Sequence, residues 1–177
     1  MYKRQASDNG AAIQAPIKIL NCNAGFKGRK GTLYEGGIRV PFIVNQPGMV
    51  PIQTLDNLIY FPDMMPTLAA LAKGTKHLPK QINGINILPL FYGKQVDTDN
   101  RLLYWEFPGK QRAARKGDWK CVTIHPNQPL ELYNLKEDPE ETNNLAKKYP
   151  RRVKEFDEEM QRMHIPTPNW PQPGEQF

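Results

Sequence analysis

A carboxylate and an amide stand side by side at Asp8-Asn9, ahead of Gly10, and an ammonium group follows at Lys30 in the basic run Lys27-Gly28-Arg29-Lys30. Asp8 and Asn9 offer two hard oxygen donors from adjacent residues, the donor type that Ca²⁺ takes. Lys30 offers a compact point charge suited to one oxygen of an anionic group. Read alone, both features are ordinary. Asp-Asn-Gly is common turn chemistry, and a lysine beside Gly28 and Arg29 is by default a solvated loop residue. The histidines, His77, His125 and His164, are scattered singly and receive no catalytic role. Cys22 and Cys121 lack any Cys-x-x-Cys spacing and read as two unrelated thiols, a single bridge between them being left open.

The elements that must position these groups begin poorly. Residues 1–37 are rich in Gly, Asn and Ala and read as loop, whereas Ile38 to Asn45 reads as a short buried strand closed by the turn Gln46-Pro47-Gly48. Pro41 has no amide proton, which puts it at the strand's start or at an edge. Asp63 to Lys73 reads as a helix. Phe61, Met64, Met65, Leu68, Leu71 and Ala72 recur at three- and four-residue steps, giving one apolar face. Asp63 would cap its start, Pro66 falls in the first turn, and Gly74 suits the left-handed residue past its end. Arg101 to Phe107, Trp119 to Ile124 and Glu131 to Leu135 read as short antiparallel strands. Pro150 to Met163 reads as a helix with Pro150 at its first position and Val153, Phe156, Met160 and Met163 on one face. Residues 166–177 hold four prolines and read as an extended tail.

The chain has 177 residues, 39% hydrophobic and 24% charged, a soluble globular composition long enough for a sizeable core. No run approaches the ~18 apolar residues of a membrane span, and residues 1–8 have basic residues without the apolar stretch of a signal peptide. Twenty-four Lys+Arg against 18 Asp+Glu leave a net charge of +6, which favours anionic partners. The basic residues are dispersed in short groups and match no nucleic-acid module, so nucleic acid is set aside.

Four segments, taken in order, resemble the last third of a type I sulfatase. They are Ser7-Asp8-Asn9-Gly10; Lys30-Gly31-Thr32-Leu33-Tyr34-Glu35-Gly36-Gly37-Ile38-Arg39-Val40-Pro41; Asp63-Met64-Met65-Pro66-Thr67-Leu68; and Leu132-Tyr133-Asn134-Leu135 followed by Asp138-Pro139-Glu140-Glu141-Thr142-Asn143-Asn144-Leu145-Ala146. The resemblance implies an alkaline-phosphatase-like α/β fold. Residues 1–75 would be the incomplete end of the large mixed-sheet domain. Residues 76–165 would form a small α+β subdomain with an antiparallel sheet and covering helix, and 166–177 a Pro-rich tail. It implies hydrolysis of sulfate esters by a formylglycine made from a Cys or Ser in a Cys/Ser-x-Pro-x-Arg motif, with bound Ca²⁺. On the matching positions it implies Asp8 and Asn9 as metal ligands and Lys30 as the sulfate-binding lysine, with a small-molecule or carbohydrate sulfate ester as substrate. It further suggests a periplasmic, secreted or lysosomal setting. Glu35 and Arg39 read as a structural pair supporting Gly36-Gly37.

The nucleophile motif is not in this sequence. Cys22 precedes Asn23-Ala24-Gly25, Cys121 precedes Val122-Thr123-Ile124, and the only serine is Ser7. The expectation is therefore the C-terminal part of a sulfatase, inactive by itself. Residues 1 to about 30 should be poorly packed, and Arg101 to Met163 well formed. Two alternatives stand beside it: a non-catalytic module binding anions or sulfated glycans, and a phosphatase or phosphoglycerol transferase of the same superfamily. Tyr104-Trp105-Glu106-Phe107 with Arg112 and Arg115 could meet a sugar, but an aromatic strand packing in the sheet is the more economical reading of Trp105.

Overall fold

The computed structural model describes residues 3–12, 14, 20–107, 111–125, 127–169, 171 and 176. The chain divides into two compact units, one of Met1–Ala6 with Pro41–Arg101, the other of Ser7–Val40 with Leu102–Phe177. Among the described residues no helix is long and apolar enough to cross a membrane.

In the first unit β1 (Lys3–Ala6) pairs antiparallel with β2 (Phe42–Asn45). The strand expected from Ile38 is shorter and less buried than its sequence suggests, and the segment before residue 37 is less uniformly loop. Ile38 instead closes a helical turn, α1 (Glu35–Ile38), and Pro41 sits just ahead of β2. With one partner strand only, β2 alternates between half-buried Phe42 and Val44 and exposed Ile43 and Asn45. Phe42 and Val44 pack on a small core of Ile87, Leu90 and Phe91, the last two in α3 (Leu88–Phe91). The turn after β2 forms as expected, Gln46 O accepting the amides of Met49 and Val50.

The expected helix runs as a tight turn over Phe61–Asp63 and then α2 (Met64–Leu71), with Pro66 in its first turn. Its facing differs from the apolar stripe. Pro66 and Thr67 are buried while Phe61 and Met65 are half exposed. Polar anchors set this orientation: Thr67 Oγ1 accepts the Ile87 amide at 2.9 Å. Asp63 makes no side-chain cap to α2. Its fully buried carboxylate instead accepts the amides of Tyr60 and Ile85 and a two-pronged Arg101 guanidinium, at 2.5 and 2.6 Å. At the other end the left-handed residue is Lys73, φ +56°, rather than Gly74, and the Gly74 amide closes the helix on Ala69 O.

The second unit carries a four-stranded antiparallel sheet in the order β3 (Leu102–Phe107), β4 (Gln111–Lys116), β5 (Trp119–Thr123), β6 (Glu131–Asn134). Strand β4 was not evident in the sequence, because Gln-Arg-Ala-Ala-Arg-Lys lacks the branched and aromatic residues that mark strands. Its two alanines serve opposite faces. Ala114 lies with Cys121, Leu132, Phe156 and Met160 under α4 (Pro150–Met163). Ala113 lies with Val122 and Tyr133 under Leu33 and Tyr34. Helix α4 begins at Pro150 and buries Phe156 and Met160 as expected. Past β6, the Leu145 amide bonds Leu132 O and Asn144 Oδ1 accepts the Leu132 amide, so the chain returns along the edge strand. Residues 170, 172–175 and 177 lie outside the described residues, and with them half of the expected tail.

Candidate functional site

The two segments that carried chemistry in the sequence meet through their backbones, within the second unit. The Gly10 amide donates to Gly37 O and the Lys30 amide to Ala11 O, both at 2.9 Å. The Asp8-Asn9-Gly10 turn is thus knitted to the loop that runs from Lys30 into α1. Ser7 Oγ tightens the turn by donating to Asn9 O at 2.8 Å. A Cβ on Gly10 would collide with Gly36 O, so the close approach requires glycine. Gly36 and Gly37 are bare for the same reason. Around Gly36 the carbonyls of Phe26, Lys27 and Gly28 lie 2.6–2.7 Å from where a Cβ would stand.

Lys30 and Asp8 are exposed and Asn9 is half exposed. Among the described residues no acid lies within ion-pair reach of Lys30. No group of three or more His, Cys, Asp or Glu able to hold a metal occurs among them either. The donor chemistry of Asp8 and Asn9 suits Ca²⁺, but two protein oxygens are a fraction of the six to eight that ion takes. Within this chain the pair fits part of a coordination shell.

What anchors the platform was not legible in the sequence. Glu35 does lie near Arg39, at 3.9 Å, but Arg39 is half exposed and the pair is loose. The closer partner is Lys120 on β5, fully buried, its Nζ 2.9 Å from Glu35 Oε1 and 2.9 Å from Glu141 Oε1. Glu141 Oε2 accepts the Glu35 amide at 2.6 Å, and Arg115 approaches Glu35 at 3.7 Å. Strand register explains the assembly. Arg115, Lys120 and Tyr133 lie abreast across β4, β5 and β6 on the face that α1 covers. Burial raises the Glu141 carboxyl above its usual range, with the Lys120 ammonium drawing it back down. Beside this cluster, Glu131 accepts the hydroxyls of Tyr34 and Tyr133, each at 2.7 Å, and Lys27 Nζ lies 2.9 Å from the Tyr133 hydroxyl. Burial first, then the Glu131 carboxylate, pushes both phenols far up, keeping them protonated donors.

Of the residues weighed for sugar contact, Phe107 is exposed and the others are internally engaged. Trp105 packs in the cluster of Ala113, Val122 and Tyr133. Arg112 pairs with Asp157 at 3.5 Å, and Arg115 donates to Gly117 O at 3.0 Å. Among the histidines, His164 pairs with Glu106 at 2.5 Å, and His125 Nδ1 accepts the Asn127 amide. Both cysteines are free thiols, Cys22 exposed and Cys121 buried.

The family described as N-sulphoglucosamine sulphohydrolase, C-terminal, matches residues 26–165. The chain belongs to the sulfatase family. A sulfatase of Formosa agariphila is 30% identical over 168 residues, covering 80% of this chain and 30% of its own length. Arylsulfatase K of Gallus gallus is 30% identical over 143 residues, covering 72% of this chain and 26% of its own. A solved Bacteroides thetaiotaomicron sulfatase structure, described with the metabolism of multiple glycosaminoglycans, matches 91% of this chain and 38% of its own. Its TM-score is 0.79 and its identity 28%. The chain therefore spans about a third or less of these curated sulfatases, in their C-terminal portion, and the expected mixed α/β fold with its antiparallel sheet and helix is the observed one. Lys30 falls inside the matched family segment; Asp8 and Asn9 precede it.

Proposed function

We propose that this chain contributes the sulfate-contacting lysine and two metal-binding oxygens to a sulfatase site acting on a sulfated carbohydrate. One observation carries the reading. In a chain of this family, the Asp8-Asn9 turn and the Lys30 loop are joined by the Gly10–Gly37 and Lys30–Ala11 hydrogen bonds, so a carboxylate, an amide and an ammonium without an acid partner among the described residues share one hydrogen-bonded base. In this proposal Lys30 holds a sulfate oxygen and stabilises the charge that gathers there as the ester bond breaks. Asp8 and Asn9 would offer oxygens to Ca²⁺, which would supply further positive charge for the sulfate group. The carbohydrate preference rests on the glycosaminoglycan context of the solved relative. With neither cysteine nor Ser7 heading a Cys/Ser-x-Pro-x-Arg motif, the chain by itself has no covalent nucleophile and does not turn over.

A chimera tests this, with residues 7–165 replacing the matching segment of the Formosa agariphila sulfatase. The chimera should hydrolyse an aryl sulfate, and Lys30→Ala within it should lower kcat/KM by about a hundredfold or more. Unchanged kcat/KM in that variant refutes the role of Lys30. The chain alone should give no turnover; activity from it that disappears in Lys30→Ala refutes the need for a nucleophile from elsewhere.

A further inference from the structure

The Lys30 loop is seated on the sheet by Leu33 and Tyr34 and tied at the Leu33 amide and Gly31 O to the Gln111 side chain. Its continuation, α1, is four residues long and contains two glycines, so neither helix propensity nor side-chain packing of Gly36 and Gly37 can hold it. Its first amide, that of Glu35, is held by the carboxylate of Glu141, contributed by a loop 106 residues further along the chain. Glu141 Oε2 takes the first amide of α1, and its other oxygen shares the Lys120 ammonium with Glu35. All three side chains are buried. Glu141 itself sits at φ +56°, an unfavourable conformation for a residue with a Cβ. The Asp138 carboxylate secures that conformation by accepting the amides of Thr142 and Asn143 at 3.0 and 2.8 Å. From α1 the constraint passes along hydrogen bonds. The Gly36 amide bonds Lys27 O at 2.7 Å and Gly37 O bonds the Gly10 amide, while the Lys30 amide bonds Ala11 O.

We infer that Glu141 and Lys120 are positioning residues for the Lys30 site, fixing through Glu35 and α1 the loop that presents the Lys30 ammonium. The inference rests on the reading of Lys30 given above, and deepens it by naming what sets the lysine's place. Glu141 and Lys120 are both fully buried. Both act through the Glu35 amide and carboxylate.

The test uses the whole chain, inorganic sulfate as probe, and amide-resolved NMR with hydrogen exchange. Glu141→Gln keeps the side chain's shape and an acceptor for the Glu35 amide but removes the charge; Lys120→Met keeps the stem and removes the ammonium. In folded variants, exchange at Gly10, Lys30, Gly36 and Gly37 should quicken at least tenfold, and the sulfate-dependent shift at Lys30 should need at least fivefold more sulfate. Amides of β3 to β6 should keep their wild-type exchange, which a general loss of stability would not allow. Wild-type exchange and sulfate response at the four loop amides in a folded variant overturns the inference. So does a Glu35 amide that exchanges in the unmodified chain as fast as an exposed loop amide, a measurement that stands even if both variants fail to fold. Lys30→Ala separates the two claims. Should it keep the sulfate response, the Lys30 reading fails, while the exchange data still judge the clamp.

Discussion

Gly36 and Gly48 are both glycines in turns, and physics gives them different costs. Gly48 has φ +77° and nothing within 4 Å of an added Cβ. Gly48→Ala therefore meets only the left-handed penalty, about 1 kcal/mol. Gly36 has an ordinary φ but three carbonyls at 2.6–2.7 Å, and backbone cannot swing aside as a side chain can. Gly36→Ala should cost about 3 kcal/mol, read as the difference in urea midpoints at constant slope. Equal costs would mean that the 26–28 segment yields freely. Asp8, Asn9 and Lys30 were marked out as candidates by the sulfatase-like segments around them, not by their residue types. Lys120 and Glu141 were not, because their partner Glu35 lies 85 and 106 residues away in the chain. Nothing local distinguishes a buried lysine on a strand from a solvated one.

Among the elements, α4 was read almost to its ends, since Pro150 and the three-to-four spacing of its apolar residues are local signals. Its face is testable. Met160 is fully buried against Cys121 and Leu132, whereas Met163 is over a third exposed. Met160→Ala should cost about 3 kcal/mol and Met163→Ala well under 1, measured by thermal unfolding; comparable losses would show the helix to be turned on its axis. Helix α2 shows the opposite case. Its apolar stripe was real but did not choose the inward face, because Asp63 and Thr67 anchor it by hydrogen bonds. Strand β4 was hidden by its composition, since alanines suit a sheet covered on both sides but carry no strand signature. The loop after β6 adds a pH dependence. Burial raises the Asp138 carboxyl, but the amides of Asn143 and Thr142 and the Thr142 hydroxyl outweigh it and bring it below its ordinary 3.8. The folded form then holds its proton less tightly than the unfolded chain. Its contribution is complete above pH 3.8 and lost as the pH falls through the lowered value. Asp138→Asn should flatten that part of an acid-unfolding curve, and an unaltered curve would remove Asp138 from the account.

At the scale of the whole molecule, the two thiols report on different events. Cys22 is exposed. Cys121 sits between β4 and β6 under α4, and its thiol is pushed up to about 12, by burial first and then by the Asp157 charge. A thiol reagent at pH 8 should label Cys22 at once and Cys121 only as the second unit opens. Simultaneous labelling of both would mean that the sheet and α4 do not hold together. Above the thiol's ordinary 9.0 the unfolded chain ionises Cys121 first, so stability should fall as pH climbs from 9 towards 12. The unit containing α2 is less amply furnished. Ile43, Met49, Ile52, Phe61 and Met65 stay largely exposed around a core of the buried residues Ile87, Leu90 and Phe91.

The buried lysine between two acids also constrains how this sequence can change over time. Replacing Lys120 alone strands two carboxylates in a dry interior, and replacing Glu35 or Glu141 alone strands part of an ammonium; each single step should cost about 3–5 kcal/mol, a large share of a domain's stability. Replacing the trio together by well-packed apolar groups would leave no charge uncompensated. The three positions should therefore show strong epistasis, drifting as a block or not at all. A lineage that lost the need to hold Lys30 in place would still find the exit from this arrangement barred by its own intermediates.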